Sequence, residues 1–369
     1  MTVSTPARAF GAFKPTASPG LLATSSAIAA TFTATPFVIA ESVERFDISI
    51  GAAALLSTAQ VGGFTVANLV GNRRFTASAR LARKSLGLFV AMNAASVFLP
   101  SFAGLVVART LAGVAMGLLT WIAWADSATD GKRRGEIAAI GPLASAISAP
   151  ILGVVTSFGD LRSIFAVLTV VAACGLLLPI HVAENEISKV RNPIRTPGVR
   201  WVLISMAVVT GAGSAVFVFA RVIAEDLGMS AFATSIALSI NALAGIPAAR
   251  FAGRRRLPGV WIAIMGGCAL LLTQTSSTIL YFVILALWGL CFWSAIPEVY
   301  SMLADRSVFP SDRVGDAQAS MAFGRVIGPT AGAALVAGGS FTSVGIVAVI
   351  LLVGAAICIE AVATSHRWR

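Results

Sequence analysis

Twelve apolar stretches of roughly twenty residues follow one another along this chain, most of them separated by gaps long enough only for a turn. A helix of about twenty apolar residues covers the ~30 Å hydrocarbon core of a bilayer. Backbone placed there must satisfy its hydrogen bonds within the segment, which leaves helices as the natural form. The stretches run at about 21–40, 49–70, 84–100, 103–125, 136–158, 161–182, 201–223, 229–250, 257–275, 278–303, 314–337 and 341–362. Short joins make neighbouring helices antiparallel hairpins. One gap differs: His181 to Arg200, "HVAENEISKVRNPIRTPGVR", is polar and broken by prolines. The expected fold is an all-α polytopic membrane protein with a tail at 1–20, a six-helix bundle at 21–182, a linker at 183–200 and a second six-helix bundle at 201–369.

Composition agrees, since 57% of the residues are hydrophobic and only 12% charged, against about 25% charged in soluble domains. The net charge of +11 would suit a nucleic-acid binder, but the cations sit in the gaps between apolar runs with no aromatics interleaved for base stacking. Counting the gaps alternately gives a sharp asymmetry. Of 27 lysines and arginines, Arg45, Arg162 and Arg221 fall on one side, Arg109 and Arg325 lie within spans, and the other 22 share the side of the N-terminus. Positive loops stay in the cytoplasm, so both termini are expected there and the acidic stretch Glu41 to Asp47 outside. The four cysteines fall inside apolar runs without ligand-like spacing and read as small packing residues; no metal site or cofactor is expected.

Two stretches close apolar runs with the same punctuation. Gly63 is followed by Gly71 and Arg73-Arg74; 182 positions later Gly245 is followed by Gly253 and Arg254-Arg255-Arg256. Deeper in each half, "RRGEIAAIG" and "RVGDAQASM" place Gly135 and Gly315 180 positions apart. Two echoes at nearly one offset mark a duplicated six-helix unit. This layout, with a glycine- and arginine-tipped loop after the second and the eighth helix, resembles the major facilitator superfamily, and the pattern is most similar to its drug and sugar efflux antiporters. The family's acidic residue in that loop is expected at position 68, where this chain has Asn68; the second half has Arg250 there. "RTLAGVAMG", beginning at Arg109, resembles a family motif in the fourth helix. Gly315, Gly324, Gly328, Pro329 and Gly332 are similar to the antiporter glycine–proline pattern of the fifth helix, here in the eleventh.

The resemblance implies secondary transport by alternating access, with the arginine-tipped loops as cytoplasmic gates. Glycines four apart also let helix backbones approach closely, which is how membrane helices pack. Ionisable groups inside a membrane are costly, so each is a candidate for function. Arg325 lies near the middle of its span, Arg109 lies six residues from the end of another, and Glu298 follows Pro297 in "SAIPEVYSML". Arg109 and Arg325 are expected to contact substrate and Glu298 to carry a proton. Family helices one, four, seven and ten line the cavity, which makes Trp121, Trp124, Trp288 and Trp293 candidate walls, together with the buried polar Asn241.

The leading expectation is a monomer in the cytoplasmic membrane that exports a small organic solute against a proton or another coupling ion. An uptake symporter for an anionic or polar metabolite, and a receptor or assembly factor without transport activity, are the alternatives. An enzyme is not expected, because the two histidines stand apart and no paired-carboxylate or Cys-His motif is present.

Overall fold

Side-chain hydroxyls mark where several helices begin. Ser49, Ser78, Ser101 and Ser230 each accept the backbone N–H three residues ahead, and Asp160 accepts those of Arg162 and Ser163, supplying partners to groups that a helix start leaves unpaired. In the computed structural model, which describes residues 15–127, 130–182, 197–245, 248, 257–305, 310–337 and 340–364, they open part of an all-helical array. The first half holds α1 (Pro19–Phe46), α2 (Ile50–Arg74), α3 (Ala79–Phe98), α4 (Phe102–Asp126), α5 (Gly131–Phe158) and α6 (Leu161–Leu176). The second holds α7 (Pro197–Phe217), continued past a two-residue break by a short helix (Ala220–Asp226), then α8 (Ala231–Leu243), α9 (Pro258–Leu272), α10 (Thr278–Asp305), α11 (Pro310–Val336) and α12 (Phe341–Thr364). Among the described residues eight helices are long and apolar enough to cross a membrane, and α6, α8 and α9 are shorter apolar helices.

Polar residues within these helices look after themselves. In α1 the hydroxyls of Thr24, Ser26, Thr31, Thr33 and Ser42 donate to the carbonyls four residues back, so none needs water. Two local features depart from the apolar runs. α1 continues through Glu41 and Glu44 to Phe46 and is stopped by Asp47 in the left-handed conformation, φ 49°. The acidic stretch is therefore mostly helix: once past the apolar run, nothing in the sequence breaks the helix before Asp47, and Arg45 donates from Nη2 to the Leu99 carbonyl (2.9 Å). The seventh run breaks at Val218-Phe219, and the hydroxyl of buried Tyr281 in α10 donates to the Ala220 carbonyl just beyond the break (2.8 Å).

Packing repeats between the halves. α2 lies on α4 as α8 lies on α10; α1 lies on α5 and α6 as α7 lies on α11 and α12; α3 lies on α6 as α9 lies on α12. Backbone-close lines of glycine hold these pairs. Along α2 and α4, a Cβ added at Gly113 would meet the Gln60 carbonyl, one at Gly63 the Thr110 carbonyl, one at Gly117 the Phe64 carbonyl, and one at Gly71 the indole of Trp121 (2.9 Å). The second half shows the same line in shorter form, with Gly289 against Asn241 and Gly245 under the Trp293 ring (2.6 Å). Gly324, Gly328 and Gly332 of α11 meet the carbonyls of Ala207, Gly211 and Ala215 of α7, a ladder of small residues four apart on both helices.

The halves meet along α2 with α11 and along α5 with α8. Arginines collect at one end of the bundle, where α2 ends and α3, α5 and α7 begin; the opposite end is the far end. Across the seam Thr58 and Thr330 share a hydroxyl hydrogen bond (2.7 Å), Ser239 donates to the Ala146 carbonyl (2.6 Å), Gly51 faces Ala333, and Gly153 faces Ser235 and the Ala231 carbonyl. These contacts lie at the middle or in the far half of their helices. At the far rim α1 also meets the short helix Ala220–Asp226, where Arg221 pairs with Glu225 (2.6 Å) within electrostatic reach of Glu41.

The glycine ladder makes a prediction with two signs. Gly324→Ala and Gly328→Ala should each destabilise the protein by about 1–3 kcal/mol, because the added methyl meets a backbone that cannot yield. Gly354→Ala, whose new Cβ meets nothing within 4 Å, should stabilise by roughly 0.5–1 kcal/mol. Thermal unfolding of the three variants in one detergent checks the pair of signs; equal behaviour would mean that the α7–α11 contact is not close.

Candidate functional site

Arg109 is 2% exposed, the largest of the fully buried side chains. It projects from α4 into its own half: Nη1 donates to Asn93 Oδ1 (2.9 Å), and Nη2 to Ser96 Oγ (2.8 Å) and the Met92 carbonyl (3.0 Å), all on α3. The guanidinium carbon lies 4.6 Å from the ring centre of Phe165 on α6, a cation–π distance. Arg109 Nε and Asn93 Nδ2 have no hydrogen-bond partner, and no carboxylate among the described residues forms an ion pair with Arg109. This geometry pins α3, α4 and α6 together, with every partner in the first half.

Arg325 is placed differently. It stands one turn beyond Met321 on the face of α11 turned toward α10, half-buried, with Tyr300 of α10 as its electrostatic neighbour. The Tyr300 hydroxyl reaches Met321 Sδ at 3.0 Å. No hydrogen bond or ion pair joins Arg325 to a described residue, whereas three of the five N–H groups of Arg109 are spent. Glu298, half-buried on α10 two residues before Tyr300, has contacts of its own. Tyr300 was not singled out from the sequence; as one of only two tyrosines in the chain, lying in the "PEVYSM" run beside Glu298, it carried a usable signal. The chain offered no comparable signal for Ser96, Met92 and Phe165, which meet Arg109 only through folding.

The tryptophans divide between two settings. Trp121 is buried over Gly71, and Trp293 covers Gly245 and stands edge-on to Phe292 with ring centres 5.5 Å apart. Trp288 is buried against Phe217 of α7 at 5.9 Å, next to Gly213. Trp124 is half-buried beside a small cluster of Ala17, Ala123 and Ile137. Asn241 donates from Nδ2 to the Leu285 carbonyl of α10 (2.8 Å), so its amide serves the α8–α10 contact.

At the arginine-rich end, Asn68 is half-buried and Arg74 exposed. Arg73 and Gly315 lie in α2 and α11, but their surroundings fall outside the described residues, as do Arg250, Gly253, Arg254 and Arg255. A buried acid stands nearby. Asp126, 2% exposed at the end of α4, pairs with Arg133 at the start of α5 (3.3 Å). Glu136 holds the chain ahead of α1, accepting from the backbone N–H groups of Thr16 (2.8 Å) and Ala17 (2.8 Å). In the second half Glu360 of α12 accepts the N–H of Gly259 at the start of α9 (2.7 Å). Thus acids at this end tie helix starts within each half.

Among curated protein sequences there is no match. Solved structures do match over the whole fold. A bacterial homologue of the human lysosomal transporter Spinster, in an inward-facing and occupied conformation, shares 14% identity, with a TM-score of 0.75 over 100% of this chain and 99% of that one. A D-xylose–proton symporter shares 17% identity, with a TM-score of 0.68 over 92% and 96% of the two chains. A human organic anion transporter aligns at 13% identity and TM-score 0.67, covering 92% of this chain and 97% of its own. The family model described as Major Facilitator Superfamily matches residues 20–321. With that match across most of its length, and with the mirrored packing of its two halves, the chain belongs to the Major Facilitator Superfamily.

Proposed function

We propose that the protein is a secondary active transporter of the cytoplasmic membrane that moves a small organic solute by alternating access, with proton-coupled export as its direction. The observation that carries this reading is the seam. Among the described residues its cross-half hydrogen bonds sit at the middle and far half of α2, α5, α8 and α11, while the ties of Arg133 to Asp126 and of Gly259 to Glu360 at the arginine-rich end each lie within one half. Two such bundles, here 21–182 and 201–369, can rock about a central site, with twelve crossings and both termini on the arginine-rich, cytoplasmic side. The glycine ladder of α11 around Pro329 favours export by its resemblance to the antiporter pattern.

In this reading Arg325 is the polar determinant for substrate. A guanidinium kept half-buried with no hydrogen bond or ion pair to a described residue is poised to take a carboxylate, phosphate or sulfonate, and the Tyr300 hydroxyl beside it adds a neutral donor. Glu298 on the same helix as Tyr300 is the group for proton coupling. Arg109 instead acts as a brace inside the first half: its hydrogen bonds are already made. At the gate, Asp126 supplies the negative charge that Asn68 lacks, and the loops around Arg73-Arg74 and Arg254-Arg255 would close over the cytoplasmic entrance.

Two variants separate substrate contact from brace. Arg325→Ala should leave thermal unfolding nearly unchanged while abolishing the stabilisation produced by anionic solutes in a thermal-shift screen sorted by charge, together with flux of the best of them into proteoliposomes. Normal flux in Arg325→Ala would sink the assignment, and binding without flux in the wild-type protein would favour a receptor. Arg109→Lys, which cannot reproduce the forked contacts to Asn93, Ser96 and Met92, should lower stability by roughly 1–3 kcal/mol. Its flux per folded molecule should stay near wild type. A large loss of flux at unchanged stability would return Arg109 to the substrate site.

A further inference from the structure

A groove of about 1110 Å³ runs along the second half, and every residue lining it belongs to α7, α11 or α12. Its floor is small because the α7–α11 ladder is small: Ala207, Gly211, Gly324 and Gly328 leave no side chain to fill the space. Its walls are large and exposed, with Phe323 at 58% and Ile327 at 47%. From Val199 to Ala215 on α7 the groove spans sixteen helical steps, roughly 24 Å at about 1.5 Å each. That is longer than one leaflet of a ~30 Å hydrocarbon core. Arg200 is its one charged lining residue and stands exposed at the arginine-rich mouth, forming no ion pair with a described residue; the positive end of the α7 dipole points the same way.

We infer that this groove is a binding site for a phospholipid with an anionic headgroup, one acyl chain lying along the small-residue floor and the phosphate meeting Arg200. The chemistry selects the occupant. A long, narrow, apolar slot in a membrane-crossing bundle suits an alkyl chain, and a single cation at the interfacial end suits a phosphodiester. The groove contains no residue of the first half, so rocking of one half against the other neither opens nor closes it. The lipid is therefore a resident of the second half, distinct from the transported solute at the seam. This inference rests on the membrane location of the protein and is independent of the substrate assignment at Arg325.

Native mass spectrometry of the purified full chain, incubated in detergent with phosphatidylglycerol or phosphatidylcholine of the same acyl composition, tests it. Phosphatidylglycerol should be retained at one molecule per chain and about fivefold more strongly than phosphatidylcholine, the preference expected of one basic residue near the headgroup. Arg200→Gln should erase the preference while both lipids still bind. Ala331→Phe, which fills the slot from an exposed position, should abolish retention of both, and Ala319→Phe provides a second block if the first variant unfolds. Ile357→Phe, exposed on α12 outside the groove, should bind as wild type. Equal retention of the two lipids by the wild-type chain would overturn the proposal, as would undiminished binding in a folded groove-filling variant. Loss of binding in Ile357→Phe to the same degree, or a second protein chain in place of the lipid, would do so as well.

Discussion

Close approach of helix backbones is the constraint on which the rest of this fold depends. In a bilayer the surroundings are as apolar as the core, so burial does not drive one helix onto another; contact distance does. The α2–α4, α8–α10 and α7–α11 pairings use it. Gly113 admits the Gln60 carbonyl, Gly289 admits that of Asn241, and Gly324, Gly328 and Gly332 admit those of Ala207, Gly211 and Ala215. Because the ladder fixes α7 against α11 with only small side chains between them, the flank beyond it is left as a slot. The same contact that holds the second half together therefore carves the apolar groove beside it.

Arg109 and Arg325, both within the apolar spans, show how one residue type serves two ends. A guanidinium brings five donors that must be satisfied or left at a cost. Around Arg109 the chain supplies an amide, a hydroxyl, a carbonyl and a ring face, all neutral, and the charge becomes a fixed strut between α3, α4 and α6. Around Arg325 the described electrostatic neighbour is Tyr300. In the proposed transport site, solute or water would complete it.

The helices and their duplication could be read directly from the residues, because a span is recognised from length and apolarity alone and the offset between Gly63 and Gly245 repeats at Gly135 and Gly315. The rotation of each helix could not. In a soluble protein the polar face tells which way a helix turns; here lipid-facing and core-facing residues are equally apolar, so nothing in "RTLAGVAMG" says whether Arg109 faces α3 or the seam. Trp121 and Trp293 were ambiguous for the same reason, and their places over Gly71 and Gly245 emerge only once α2 meets α4 and α8 meets α10. The helical course of Glu41 and Glu44 was hidden because the apolar run ends before the helix does. Tyr300 was legible in principle, being rare and close to Glu298, but its relation to Arg325 depends on how α10 and α11 pair.

The Thr58–Thr330 pair carries a further consequence. It joins the halves by a neutral hydrogen bond, as Ser239 does with the Ala146 carbonyl. A neutral hydrogen bond contributes about 1 kcal/mol net, and a change of about 1.4 kcal/mol moves a two-state ratio tenfold. In the proposed alternating-access cycle, each such bond biases the balance between the two shapes by less than about tenfold. In that proposed cycle a methyl group gained at the seam would retime the rocking of the halves while leaving the proposed solute contacts at Arg325 untouched.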